Sequence, residues 1–272
     1  MKFKTLVDVP FEIVAKCFFK SFENYYVQFT KNARLFEERW RVAKVRYDFS
    51  VGVFEGEELI AFMLLAIDER DGVLSAFNAA TGVLPAYRGN SLVKKMFDFA
   101  LPVLRSNRVK HCSLEVIQEN ENAVRAYEKC GFKVARNYHC FGGKFQCEGS
   151  IGQVEEASVV SIHKDELADQ SIYSWENRIE SIINGPFHFF TVMNNDKKES
   201  LFIINKSTGY LAQFDVLFDK PDVWGRLGAA IQSVSTQIKV NNVVGTLERK
   251  LEWLKASGLQ NTINQYQMER LV

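Results

Sequence analysis

The feature that most constrains the fold is an internal repeat made of a strand, a helix, a glycine turn and a second strand. The final segment, IKVNNVVGTLERKLEWLKASGLQNTINQYQMERL, follows the same order as HCSLEVIQENENAVRAYEKCGFKVARNYHCF in the first half. A repeat of this kind indicates that one structural unit is used more than once. When Gly258 is aligned with Gly131, the helices and turns coincide, so we expect two related units.

The length of the chain supports this division. Its 272 residues exceed the usual size of about 100 to 200 residues for one domain. The stretch GGKFQCEGSIG at 142–152 is rich in glycine and is expected to be a linker. We therefore predict a first domain at 1–146 and a second domain at 147–272.

Charge and hydropathy argue against several classes of protein. The chain carries 34 Lys and Arg against 33 Asp and Glu, and the charges are interspersed, so no nucleic-acid-binding stripe is indicated. No apolar run approaches the roughly 20 residues of a membrane helix, and the N-terminus is unlike a signal peptide. We expect a cytoplasmic protein with no nucleic-acid partner and no membrane partner.

Cysteine and histidine spacing argues against a metal site. The five cysteines form no CxxC pair, and the four histidines are scattered without ligand spacing. Free cysteines mostly behave as small buried apolar residues, although a cysteine nucleophile stays open as an alternative. The sequence therefore predicts reduced thiols and no metal.

Hydrophobic periodicity predicts strands and helices in both halves. The first half reads as a strand, helices at 10–26 and 33–46, a hairpin turning at Glu55 to Glu57, and a helix from Ser91 to about Asn107, which Pro102 is expected to kink. In the second half, SVVSIHK reads as a strand and SIYSWENRIESIIN as a helix. Because a hairpin accompanies strand–helix–strand units, the predicted fold class is α/β with a mixed sheet.

One junction between a strand and a helix is typical of an anion site. In TGVLPAYRGNSLVKKMFDFAL the strand ends at Val83 or Leu84, and the helix begins near Asn90. Backbone amides from Arg88 to Val93 would be unpaired at this helix start, where the macrodipole favours an anion such as a pyrophosphate. Junctions of this kind are also common as purely structural units, so both interpretations stand.

Two motifs resemble the GCN5-related N-acetyltransferase (GNAT) superfamily over roughly residues 1–146. The acyl-CoA loop of that superfamily, V-x-P-x-x-R-G-x-G-x-G/A, is matched at Val83, Pro85, Arg88 and Gly89. The chain departs from it at Ser91 and Val93. The second motif, strand L-E-V and then N-x-x-A-x-x-x-Y-E-K-x-G-F, is matched at Leu114, Glu115, Val116, Asn120, Ala123, Tyr127, Glu128, Lys129, Gly131 and Phe132.

The resemblance implies tandem GNAT-like domains, each a central mixed sheet flanked by helices, with acetyl-CoA as co-substrate and the active site in the first domain. The residues that it places against the cofactor are Val83, Leu84, Arg88, Gly89, Asn90, Ser91, Leu92, Val93, Asn120 and Tyr127. It also implies that backbone amides near Val83 and Leu84 face the thioester carbonyl. The alternative for Asn120 is a helix cap, for which Asn122 competes.

The resemblance also implies two catalytic side chains. Tyr127 would be the general acid, since a phenol with a pKa of about 10 can protonate a thiolate with a pKa of about 8.5; the alternative is a core aromatic. Glu115 points away from its strand neighbours and would be the general base, as in members that acetylate protein N-termini. A solvated or salt-bridged carboxylate is the alternative for Glu115.

The acceptor pocket is expected near an aromatic cluster. The superfamily lines this pocket at the position of FENYYVQF, which contributes Phe22, Tyr25, Tyr26 and Phe29, and Asn78 is a further candidate from its strand. Plain core packing is the alternative for such a cluster. The acceptor would be a small-molecule amine or a peptide N-terminus.

The second copy serves as an internal control. The alignment puts Ser257 at Cys130, Leu254 at Tyr127 and Leu247 at Asn120, so both polar groups are lost. The second domain is therefore expected to be non-catalytic and to pack on the first domain, close its acceptor cleft or form a homodimer. The predicted function is direct acetyl transfer from acetyl-CoA to an amine; the alternative is a CoA-binding regulatory or scaffold protein without turnover.

Overall fold

The structure is a computed structural model that describes residues 1–23, 25–27, 30–157, 167–218 and 220–272. It contains two compact units. Unit 1 comprises Met1–Ala135 together with Tyr266–Val272, and unit 2 comprises Arg136–Gln265. The last residues of the chain thus belong to the unit that is formed by the first half.

Unit 1 is a mixed sheet with helices. Its strands are β1 (Lys2–Thr5), β2 (Val51–Glu55), β3 (Glu58–Arg70), β4 (Val73–Val83) and β5 (His111–Ile117), followed in the sheet by the end of β12 (Gln260–Leu271). Its helices are α1 (Phe11–Ser21), α2 (Ala33–Val42), α3 (Leu92–Ser106) and α4 (Glu121–Lys129). Strands β1 to β4 pair antiparallel, whereas β4 and β5 pair parallel.

Unit 2 repeats this order of strands. It contains most of β6 (Lys133–Lys144), then β7 (Gln153–Ala157), β8 (His188–Asn194), β9 (Lys197–Asn205), β10 (Tyr210–Val216) and β11 (Gln237–Val244), with α5 (Ile179–Ile182), α6 (Val223–Val234) and α7 (Glu248–Ala256). The sheet order β7-β8-β9-β10-β11 matches β1-β2-β3-β4-β5, and the parallel pair is again the last one, β10 with β11. The α/β fold class with a mixed sheet is confirmed, as is the repeat.

Local sequence signals explain the elements that were predicted correctly. The hairpin turns at Gly56, whose φ of 57° is the left-handed conformation that glycine adopts without strain. The two turns that end α4 and α7 are also alike, because Gly131 and Gly258 have φ values of 84° and 83°. Helix α3 continues through Pro102 to Ser106.

Three details of the predicted elements differ in the structure. The segment 171–184 is not one helix, since 3₁₀ turns at Gln170–Ile172 and Trp175–Asn177 precede the short α5. The buried side chain of Asn177 donates to Asn241 O, a long-range contact that the sequence pattern of this segment does not predict. Gly142 and Gly143 lie inside β6 instead of in a linker, and helix α1 ends at Ser21. The predicted strand SVVSIHK lies outside the described residues.

The C-terminal strand is part of the core of unit 1. Met268 is fully buried in the cluster that also contains Phe62 and Met96. Arg270 donates from Nη1 to Cys130 O at the end of α4, and its guanidinium lies 4.7 Å from the ring centre of Phe97. These contacts fix the end of α4 to the last strand of the chain.

We expect Met268→Ala to destabilise unit 1, although the residue lies at the end of the sequence. Truncation of a fully buried side chain of this size costs about 2–5 kcal/mol of unfolding free energy. Leu271→Ala is the matched control on the same strand, because Leu271 is 72% exposed, and it should change stability by less than about 0.5 kcal/mol. Urea denaturation followed by tryptophan fluorescence and by circular dichroism measures both; equal effects would contradict the assignment of this strand to the core.

Candidate functional site

The candidate site lies where β4 and β5 stop pairing. The two strands are paired from Ser75 with His111 to Asn78 with Leu114, and each then continues without the other. A bulge precedes the separation: Asn78 pairs with Leu65 and Ala80 with Leu64, so Ala79 has no partner on β3. A bulge bends its strand, which is a local reason for the gap. We call the opening between Ala79–Val83 and Glu115–Ile117 the β4/β5 gap.

Backbone groups of β4 face this gap. Leu84 N donates to Ile60 O over 2.9 Å, so this amide already has an acceptor within the sheet. Residues of an antiparallel pair alternate between those that bond the partner strand and those that do not. The amide of Val83 therefore points to the opposite edge. Of the two backbone positions predicted to face the thioester, Val83 is oriented to do so.

The loop between β4 and α3 is held by Arg88. Its guanidinium donates from Nη2 to Ser21 O over 2.8 Å and from Nε to Val83 O over 3.3 Å. Asn90 donates in turn to Tyr87 O. The side chain of Arg88 thus shapes the loop in this structure, and contact with an anion would fall to the backbone.

The start of α3 presents backbone amides. Ser91 precedes the helix in the left-handed conformation, with a φ of 56°, and no side chain caps the helix. The first bond of the helix runs from Lys95 N to Ser91 O, so the amides before Lys95 lack partners within the helix. Leu92 is buried, and Val93 packs against the core of unit 1. Gly89 has a φ of 82°, and nothing lies within 4 Å of where its side chain would stand.

Tyr127 reaches the gap from α4. Its ring is partly buried against the core and lies 6.0 Å from the ring of Phe132. Thr81 and Asn78 of β4 lie beside its hydroxyl. Burial raises the pKa of Tyr127 to about 12, and both neighbouring side chains oppose this rise. The phenol is therefore a neutral hydrogen-bond donor throughout the physiological range of pH.

Asn120 begins α4 and also holds the aromatic segment. Its Oδ1 accepts from Ala123 N over 3.2 Å, which is the helix cap, and its Nδ2 donates to the hydroxyl of Tyr25 over 3.2 Å. Tyr26 donates to Glu119 O on the same turn. Burial raises the pKa of Tyr25, and the bond with Asn120 lowers it in part. The capping alternative for Asn120 is thus realised.

The structure brings four of the predicted residues together. Asn120 is bonded to Tyr25, and Tyr25 and Asn78 both affect the pKa of Tyr127. Glu115 lies on β5 and is half-buried between Leu114 and Val116, whose side chains are in the core. Phe29 lies outside the described residues. Thr81 was missed by sequence reasoning, because on a regular strand it would face away from Asn78.

Unit 2 fills the corresponding position differently. Leu254 and Leu247 stand where unit 1 has Tyr127 and Asn120, and the helix starts agree in conformation, with φ and ψ of −87° and 60° at Leu247 against −85° and 63° at Asn120. Lys250 lies one turn before Leu254 and forms an ion pair with Asp215 of β10, which also accepts from Tyr173. Buried ions are costly unless they are paired, and here both partners are satisfied within the protein.

The start of α6 resembles that of α3 in backbone alone. Asp222 has a φ of 61°, close to the value at Ser91, but no Arg-Gly pair precedes it. A cavity of 410 Å³ lies at this helix start and is lined by Lys220, Pro221, Asp222, Val223, Trp224 and Arg249. Across the described residues no group of three or more His, Cys, Asp or Glu side chains is arranged to hold a metal ion.

Comparison with known proteins identifies the family of one part of the chain. The family model described as acetyltransferase (GNAT) family matches residues 11–132. This segment belongs to the GNAT family. The family usually consists of acetyltransferases, and its fold implies binding of acetyl-CoA. No curated protein matches the chain.

Solved structures extend the likeness to the whole chain. A candidate acetyltransferase from Pyrococcus horikoshii is 13% identical, with a TM-score of 0.72 over 100% of this chain and 89% of its own. A GNAT protein from Sphaerobacter thermophilus is 10% identical, with a TM-score of 0.68 over 99% and 95%. A tandem GNAT protein from the clavulanic acid biosynthesis pathway is also 10% identical, with a TM-score of 0.63 over 99% and 98%. At these identities the likeness shows the fold, which is a tandem GNAT arrangement.

The arrangement fits a ligand with phosphate groups and a thioester. The amides at the start of α3 and the open space at Gly89 suit the phosphates, while the amide of Val83 and the hydroxyl of Tyr127 lie at the gap. Within the described ranges, no helix is long and apolar enough to cross a membrane.

The double role of Asn120 can be tested by its removal. Asn120→Ala deletes the cap of α4 and the bond to Tyr25, so we expect the unfolding free energy to fall by about 1 kcal/mol, with a range of roughly 0.5–2 kcal/mol. Asn122→Ala is the matched control, since Asn122 accepts only an exposed bond from Arg125, and it should cost less than about 0.5 kcal/mol. Chemical denaturation compares the two, and a larger effect at Asn122 would show that the cap is misassigned.

Proposed function

We propose that the chain is an acetyl-CoA-dependent N-acetyltransferase that transfers the acetyl group directly to a primary amine in a ternary complex. The observation that carries the proposal is that the hydroxyl of Tyr127 lies at the β4/β5 gap, toward which the amide of Val83 also points. Acetyl-CoA would supply the activated acyl group. A donor for the developing oxyanion and an acid for the leaving group are two of the groups that such a transfer needs.

The proposed roles follow from position. The amide of Val83 would stabilise negative charge on the carbonyl oxygen, and the amides at the start of α3 would bind phosphate groups. Tyr127 would give its proton to the leaving sulfur. Glu115, on the strand across the gap, would accept the amine proton, directly or through water.

The acceptor would enter beside the aromatic segment. Tyr25 is partly buried and bonded to Asn120, whereas Tyr26 is 57% exposed and bonded to Glu119 O. Aromatic rings and polar backbone groups line this proposed entrance. A small-molecule amine and a peptide N-terminus would both fit it, because each acceptor carries a compact polar group on an apolar stem. We include both classes in the proposal.

Thiol release in the presence of amines tests the activity. With acetyl-CoA and a panel of small amines and short peptides, we expect amine-dependent release of free thiol, and we expect Tyr127→Phe to lower kcat by about a hundredfold or more while leaving CoA affinity unchanged. Tyr266→Phe is the matched control, since Tyr266 is partly buried in the core of unit 1 but stands outside the site.

Two outcomes of this experiment would contradict the proposal. Equal turnover by Tyr127→Phe and the unsubstituted protein would show that Tyr127 only packs. Tight CoA binding without thiol release for any amine would instead support a CoA-binding regulatory or scaffold protein.

The pH dependence follows from the pKa of Tyr127. A general acid must hold its proton, and a phenol with a pKa of about 12 is still about 99% protonated at pH 10, where an ordinary tyrosine is about half ionised. We therefore expect the rate of acetyl transfer, corrected for thioester hydrolysis, to rise as the amine loses its proton and not to fall between pH 8 and 10. A decline with a midpoint near pH 10 would contradict this assignment.

A further inference from the structure

Two polar side chains of β4 meet at the bulge. Thr81 Oγ1 donates to Asn78 Oδ1 over 2.9 Å. On a regular strand these positions would face opposite sides of the sheet. The additional residue, Ala79, brings them to the same side. Asn78 is 5% exposed, and a buried amide of this kind is costly unless its hydrogen bonds are made.

The hydroxyl of Tyr127 completes this cluster. It lies beside the side chains of both Thr81 and Asn78, which lower its pKa. The phenol thus contacts the strand that borders the β4/β5 gap, while Phe132 packs against its ring. Tyr25, which accepts from Asn120, is near enough to raise the pKa of Tyr127.

We propose that Thr81 and Asn78 are positioning residues that aim the hydroxyl of Tyr127 into the β4/β5 gap and stabilise the phenolate formed when Tyr127 gives up its proton. This inference rests on the proposed acetyl transfer. Neither side chain contacts the reacting atoms in this role; each acts through Tyr127.

The hydrogen-bond donors and acceptors of the cluster support the roles proposed for Thr81 and Asn78. Thr81 has a single hydroxyl proton, which it donates to Asn78 Oδ1 while Tyr127 is neutral. When Tyr127 loses its proton, rotation of the Thr81 hydroxyl turns this proton toward the phenolate, and Asn78 Nδ2 supplies a second donor. Hydrogen bonds to an ionised group are stronger than those between neutral groups, so the cluster favours the charged state that burial opposes.

The bonds and protons of the proposed acetyl transfer balance. A bond forms between the amine nitrogen and the acyl carbon as the bond from carbon to sulfur breaks with its electron pair on sulfur. The proton of Tyr127 goes to sulfur, the surplus proton of the amine goes to the base, and the phenolate regains a proton from solvent. Thr81 and Asn78 keep all of their own protons throughout.

A fluorinated tyrosine placed at position 127 measures the ionisation of the phenol in this cluster, and the measurement does not require enzymatic activity. Fluorine lowers the pKa of a phenol into a range where the protein stays folded, and the fluorine resonance follows its ionisation. Titrations would compare the parent protein with Thr81→Val, which keeps the shape but removes the hydroxyl, and with Thr81→Ser, which keeps the hydroxyl. Thr81→Ala provides a second variant if valine disturbs the packing.

We expect the titration midpoint to rise by about one pH unit or more in Thr81→Val and to stay near the parent value in Thr81→Ser. In the enzyme with natural tyrosine, kcat should fall about tenfold to a hundredfold in Thr81→Val, with KM for acetyl-CoA changed less than about twofold. Thr81→Ser should restore most of the rate. A midpoint that is equal in parent and Thr81→Val would overturn the inference.

The two proposals fail separately. If the unsubstituted protein releases no thiol with any amine, the proposed acetyl transfer is contradicted. The fluorine titration still decides whether Thr81 stabilises the phenolate of Tyr127.

Discussion

The end of pairing between β4 and β5 is the constraint on which the site depends. Strands in a sheet normally satisfy each other's backbone groups, and an open edge inside a protein must find other partners. The bulge at Ala79 bends β4 away after Asn78 and leaves the amide of Val83 directed at the gap. Because α3 starts at the end of β4 and α4 follows β5, the same separation sets where the amides of α3 and the hydroxyl of Tyr127 come to lie.

The two units show which part of this arrangement belongs to the fold and which to the chemistry. Both keep the bulged strand, the parallel pair and the left-handed glycine after the last helix. The side chains between this strand and the helix differ. In unit 1 the strand is joined to the helix by the neutral contacts of Tyr127, whereas in unit 2 the ion pair of Asp215 and Lys250 makes this connection. Because Asp215 and Lys250 neutralise each other, this ion pair offers a ligand no unsatisfied hydrogen-bonding group. This agrees with the absence from unit 2 of counterparts to Tyr127 and Asn120.

Sequence reasoning succeeded where a local signal specified the structure. The turn at Gly131 and the hairpin at Gly56 are each encoded within a few residues, because glycine adopts their left-handed backbone conformation without strain. It failed where the outcome depends on distant contacts. The bulge places the side chains of Thr81 and Asn78 on the same side of β4. No residue between them predicts a bulge. Likewise, the sequence carries no local sign that Tyr266–Val272 joins the first unit.

The C-terminal strand supports the helix that carries Tyr127. Arg270 bonds to Cys130 O directly after α4, and Met268 is fully buried in the core of unit 1. Arg270 and Cys130 are 140 residues apart in the chain, so the position of α4 depends on a segment that no local sequence pattern joins to it. The support of Tyr127 is therefore a property of the folded unit, which combines Met1–Ala135 with Tyr266–Val272.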